Sequence, residues 1–143
     1  MLFSPHYRRV KCMSKIRVLL ADDHPAVLER VCEILGEDFE IVGTANNGRE
    51  AVLAALRLDP DVLVIDISMP VLNGLQATQQ LRAVNQRTKI MFLTVHQDQD
   101  FVAAALSAGA SGYVSKSEVA SDLVPAIRDA IAGRIYVSKS ITG

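Results

Sequence analysis

Apolar residues cluster in short unbroken runs separated by segments of helical period. Residues 16–21, IRVLLA, carry no helical repeat and predict a buried strand. Pro25 suits the first turn of a helix, in which Val27, Leu28, Val31, Ile34 and Leu35 recur at helical spacing up to Gly36. Residues 39–44 predict a second strand. A second helix runs from Gly48 to Leu58, with Val52, Leu53, Ala55 and Leu56 as its apolar side and Asp59-Pro60 as its stop. DVLVIDI, 61–67, is a third strand, followed by a loop marked by Pro70 and Asn73-Gly74 and a helix holding Leu75, Thr78, Leu81 and Arg82. KIMFLTV, 89–95, is the fourth strand, and a helix over about 98–108 stops at Gly109. SGYVSK, 111–116, is a short fifth strand. Ser121 then caps a last helix with Leu123, Val124, Ile127 and Ile131, Pro125 falling in its first turn and Gly133 ending it. The order is β-α, five times.

Strands that are apolar throughout are covered on both faces, so the sheet is parallel and lies between helix layers. With right-handed crossovers this predicts a doubly wound α/β sandwich, (βα)5, with a five-stranded sheet of order 2-1-3-4-5. Such sheets work at the carboxyl ends of their strands, beside the point where strand order reverses.

Composition narrows the function. The chain has 143 residues, half of them hydrophobic, and a formal charge of −1. That suits one folded domain and gives no support to bulk electrostatic binding of nucleic acid or anionic membrane. No apolar run is long enough to span a bilayer. The first fourteen residues lack the apolar stretch of a secretory signal, and Cys12 and Cys32 lie in unrelated settings. A cytoplasmic setting without disulfides is the expectation.

The strand ends carry the chemistry. Asp22 and Asp23 end the first strand and Asp66 the third, so three carboxylates meet at the reversal point. Their mutual repulsion calls for a divalent cation, and Mg²⁺ prefers such oxygen donors while keeping sites open for phosphoryl oxygens. Thr94 and Lys116 close strands four and five with a hydroxyl and an ammonium, both able to donate to a phosphoryl group. Asp66 is the carboxylate placed to act as nucleophile. Singly, each residue has a plainer reading: an acidic pair before His-Pro can cap a helix, and Thr or Lys at a strand end is ordinary. Their convergence on one sheet edge favours a site.

LLADDHP, VLVIDISMPVLNG, FLTV and GASGYVSK resemble, in order and spacing, the receiver (CheY-like) domain of bacterial two-component response regulators. The resemblance covers about 15–134, after an N-terminal extension, 1–14. It implies that Asp66 accepts a phosphoryl group from a sensor histidine kinase and that the chain is no enzyme beyond its own phosphorylation and dephosphorylation. It implies Mg²⁺ bound by Asp23, Asp66 and the backbone carbonyl of Ser68, with Asp22 orienting waters. Thr94 and Lys116 would contact the phosphoryl group, and Tyr113 matches an aromatic coupled to Thr94 in switching. As a strand residue, Tyr113 also reads as core. Phe101 and Val102, on the helix before it, are candidates for partner contact on the face that switches, with a core role as their plainer reading. ADDHP and AIAGRIYVSKSI resemble the NarL/FixJ (LuxR-type) regulators, in which a linker and a helix-turn-helix domain follow. Residues 135–143 would then open that linker, and DNA would be reached only through that further domain; a stand-alone receiver is the alternative. Homodimers occur among such receivers. Ser117 replaces the proline many receivers carry after the lysine, which leaves a cis bond there in question.

Other classes fit less well. A haloacid dehalogenase-type phosphatase needs a second Asp two residues after the first, where this chain has Ser68. A nucleotide or flavin module needs a Gly- or Ser/Thr-rich loop after strand one, where ADDHP presents like charge. A receiver-shaped module that is never phosphorylated would be expected to lack one of the five pocket residues.

Overall fold

The computed structural model describes residues 15–95 and 99–142. Six strands, β1 (Ile16–Ala21), β2 (Phe39–Ala45), β3 (Val62–Asp66), β4 (Lys89–Thr94), β5 (Gly112–Ser115) and β6 (Tyr136–Val137), form one parallel sheet in the order 2-1-3-4-5-6. The predicted order holds for the first five. β6 is an addition: residues 136–137, expected in a linker, pair with the outer edge of β5.

Among the described residues six α-helices alternate with the strands: α1 (Pro25–Leu35), α2 (Gly48–Leu58), α3 (Gly74–Arg82), α4 (Gln99–Ser107), α5 (Val119–Ile131) and a short α6 (Lys139–Thr142). Each central strand feeds both faces by its two-residue alternation. Leu19, Leu63, Ile65, Ile90, Phe92 and Tyr113 pack with α2, α3 and α4. Val18, Leu20, Val62, Val64, Met91 and Leu93 pack with α1 and α5. Every side chain of β3 and β5 and all but the first of β4 are buried, which is why those runs read as unbroken.

Local signals place most helix ends. Asn47 caps α2 through the Glu50 N–H at 2.9 Å. Asn73 and Gln76 form a reciprocal capping box at the start of α3. The last helix corrects the expectation. It starts at Val119, so Ser121 lies inside its first turn and donates to the Glu118 carbonyl instead of capping. Pro125 is accordingly in the helix interior, where its missing N–H leaves the Ser121 carbonyl without its helical partner. The apolar side of α2 is also rotated from expectation. Ala51, Val52, Ala54 and Ala55 are buried, while Leu53 and Leu56 are half exposed. Val102, expected to face outward or the core, is buried in the core; the Phe101 side chain lies outside the described residues. Among the described residues no peptide bond is cis, including that after Lys116, and no helix is long and apolar enough to cross a membrane.

Candidate functional site

The sheet brings the predicted chemistry to one edge because its strands end together. β1 and β3 pair Ala21 with Ile65, β3 and β4 pair Asp66 with Leu93, and β4 and β5 pair Thr94 with Ser115. Asp22, Asp66, Thr94 and Lys116 therefore stand at or one residue beyond four strand ends. The Asp22 N–H extends the ladder to the Ala45 carbonyl at 3.0 Å. Its carboxylate then accepts the His24 N–H at 2.9 Å, turning the chain into α1. The acidic pair does not cap α1, whose N-cap is His24 without a side-chain cap hydrogen bond. Lys116 does not lie in β5 as expected; it opens a 3₁₀ turn, Lys116–Glu118, immediately after it.

That turn sends the Lys116 ammonium back across the edge. Nζ lies 2.9 Å from Asp22 Oδ2 and 3.2 Å from Asp66 Oδ2. The other Asp66 oxygen accepts the Ser68 N–H at 3.2 Å. Asp22 and Asp66 are buried, whereas the Asp23 side chain retains 30% of its exposure. Burial raises the Asp66 pKa above 3.8, Lys116 opposes this, and the Asp22 charge adds to the rise. At Lys116 burial acts downward, but Asp22 and Asp66 together outweigh it and raise the pKa. The two directions agree: the ammonium faces two carboxylates, while Asp66 receives a shared ammonium and a repelling neighbour.

A fourth group was not singled out from sequence. His24 Nδ1 lies 3.2 Å from Asp22 Oδ1 and 3.1 Å from Asp23 Oδ1, and one ligand atom from each of Asp22, Asp23, His24 and Asp66 falls within 4.8 Å of the others. Its place in DDHP was the available signal. Three carboxylates against one partly buried ammonium leave negative charge uncompensated, and their hard oxygens are the donors a divalent cation selects. The acidic pocket fits such a metal site.

Thr94 is fully buried at the end of β4. Tyr113 is fully buried too, its ring centroid 6.4 Å from that of Phe92, so its core reading holds in this conformation. Ser68 is exposed on the lip of the pocket. The loop carrying it is tightly set: Val71 adopts φ 69°, a left-handed conformation costly for a β-branched residue.

A family model, "Response regulator receiver domain", matches residues 18–128, a span that includes all five pocket residues. The chain belongs to the response regulator receiver family. This receiver is 37% identical over 128 residues to the response regulator GacA of Pseudomonas viridiflava, covering 88% of this chain and 60% of that protein. It is 35% identical to the nitrate/nitrite response regulator protein NarL of Escherichia coli K12, covering 87% and 59%. A crystal structure of a LuxR-family two-component response regulator from Aurantimonas sp. SI85-9A1 superposes with a TM-score of 0.86 at 35% identity, covering 90% of this chain and 94% of that one. The receiver spans about 60% of the length of the curated relatives it matches. It is a two-component receiver with relatives of the NarL/LuxR type.

Proposed function

We propose that Asp66 is the phosphoacceptor of this receiver, charged by a sensor histidine kinase in the cytoplasm. The observation that carries it is the setting of the Asp66 carboxylate, buried at a strand end with one oxygen on the Ser68 N–H and the other on Lys116. An Asp66 oxygen attacks phosphorus, the phosphorus–nitrogen bond to the donor imidazole breaks, and the nitrogen keeps the electron pair. The product is an acyl phosphate, which water later hydrolyses. Lys116 remains with the new charge on the phosphoryl oxygens, and Thr94 donates its hydroxyl to them. Mg²⁺, held by Asp23, Asp66 and the Ser68 carbonyl with Asp22 behind its waters, would supply the charge neutralisation that lets dianion and carboxylate approach. No external substrate is turned over. Intact mass after incubation with Mg²⁺ and acetyl phosphate tests the proposal: one phosphoryl group gained with Mg²⁺, none in EDTA.

The two residues of the acidic pair divide the metal work. Asp22 is committed to Lys116 and the His24 N–H, while Asp23 is open to solvent on one side. Asp23→Ala is expected to weaken Mg²⁺ about 100-fold and Asp22→Ala about 10-fold in a fluorescence or calorimetric titration. Equal losses would contradict the division.

The phosphoryl group is read out through Thr94 and Tyr113. Movement of Thr94 toward the phosphoryl group changes the space beside the Tyr113 ring, biasing the face made by α4, β5 and α5. Amide shifts on adding BeF₃⁻ are expected on that face, and shifts confined to the strand ends would sink this switch. In the whole protein the output is a DNA-binding domain beyond this segment, as the NarL- and LuxR-type relatives suggest, and a homodimer is the form that would present it.

A further inference from the structure

β5 ends one residue before Lys116, and its outer edge is completed by a side chain. β6 contributes only the pairs Gly112–Tyr136 and Tyr113–Val137. Beyond them the Ser138 N–H donates to the Tyr113 carbonyl at 3.0 Å, while the Ser138 hydroxyl accepts the Ser115 N–H at 3.1 Å. The same hydroxyl donates to Asp122 Oδ2, on the first turn of α5, at 2.8 Å. Ser138 is fully buried. One hydroxyl thus uses donor and acceptor to join the end of β5, β6 and α5.

The surroundings fix Asp122 as its partner. Asp122 Oδ1 takes the Ser121 hydroxyl at 2.9 Å, and burial, followed by the charge of Asp122 and a hydrogen bond to it, raises the Tyr136 pKa. A second pin closes the segment, the Ser140 hydroxyl donating to the Glu118 carboxylate on the turn that Lys116 opens. Segment 136–142 therefore grips both neighbours of Lys116 in the chain: Ser115 before it, and the turn through Glu118 after it.

We infer that Ser138 is a positioning residue for Lys116, and that docking of segment 136–142 is coupled to occupancy of the Asp66 pocket. The inference rests on the receiver reading of that pocket. A docked segment holds the peptide amide beside Lys116 in place, so less order is lost when the ammonium binds a phosphoryl oxygen. Linkage is reciprocal: a filled pocket must favour the docked segment by the factor that docking favours filling. The segment by which the chain leaves the receiver is then a phosphorylation-sensitive latch.

The test uses the full chain with Mg²⁺ and BeF₃⁻. In the wild type, saturation is expected to slow hydrogen exchange at the Ser115 and Ser138 amides about 10-fold, a typical coupling. Ser138→Ala should bind BeF₃⁻ about 10-fold more weakly, and Ser138→Thr, which keeps the hydroxyl, should recover most of that loss. A Ser138→Ala protein that melts lower but binds BeF₃⁻ as the wild type does would make the hydroxyl merely structural and overturn the inference. Unchanged exchange in the wild type would overturn it too, and that measurement decides alone if the alanine variant does not fold. Failure of the wild type to bind BeF₃⁻ at all would instead refute the phosphoacceptor reading, and the latch with it.

Discussion

Asp66→Asn is expected to gain no phosphoryl group from acetyl phosphate and Mg²⁺ under conditions that fully modify the wild type. An amide offers neither the nucleophilic oxygen nor the charge that draws the cation and Lys116 together. The neighbouring carboxylates do not replace it. Asp22 is held by Lys116 and by the His24 N–H, and Asp23 faces solvent beside His24. Intact mass resolves the outcome, and a variant modified at the wild-type rate would move the phosphoacceptor elsewhere. The same substitution should stabilise the metal-free protein. An unfolded Asp66 ionises near 3.8, whereas burial first, and then Asp22, hold the folded carboxyl above that value against the pull of Lys116. Below 3.8 both states keep the proton and its contribution to stability is fully present; as pH rises through the folded pKa that contribution is lost. In EDTA at pH 7, Asp66→Asn should therefore melt a few degrees above the wild type. The gap should close as pH falls toward the unfolded value, and saturating Mg²⁺ should reverse the order by stabilising only the intact site. A variant that melts lower than the wild type at pH 7 in EDTA would show that Lys116 outweighs burial at this carboxylate.

Gly48→Ala is expected to destabilise the receiver by about 3 kcal/mol, although alanine favours helices over glycine by about 1 kcal/mol. A Cβ at Gly48 would lie 1.8 Å from the Leu72 carbonyl oxygen and 2.6 Å from its carbon, atoms that cannot turn aside as a side chain would. Gly74 is the matching contact at the other end of the loop, where a Cβ would lie 2.4 Å from the Asp66 carbonyl oxygen. The loop of residues 67–73 is thus pressed between the start of α2 and the start of α3, with Val71 at positive φ between them. Gly74→Ala should lower stability by a similar amount and also slow phosphorylation, because relief of that clash displaces the backbone that holds Ser68 against Asp66. Urea midpoints measure the first effect and mass-resolved phosphorylation rates the second. A Gly48→Ala midpoint equal to that of the wild type would mean that the loop yields freely.

The amino-acid pattern by itself determined the layered parallel sheet and the acidic edge. Strands such as VLVID are apolar at each position up to the aspartate that ends the strand, so burial on both faces and the site of the charge are written in one run. The family was legible for the same reason, since the pocket residues sit at strand ends whose spacing is set by the βα repeat. Tertiary structure decided what lies off that axis. Tyr136–Val137 is too short to announce a strand and becomes one only because β5 offers an unpaired edge and Ser138 completes it. Helical spacing marks an apolar side of α2 but not its angle, and the close approach of Gly48 to Leu72 turns the small residues Ala51, Ala54 and Ala55 inward and Leu53 and Leu56 outward. Ser121 has the chemistry of a cap, yet the 3₁₀ turn that carries Lys116 runs on directly into a helix already begun at Val119. That turn also decides which carboxylates share the ammonium. Periodicity reports what each residue needs from its surroundings; angles, edges and shared charges depend on which neighbour the fold supplies.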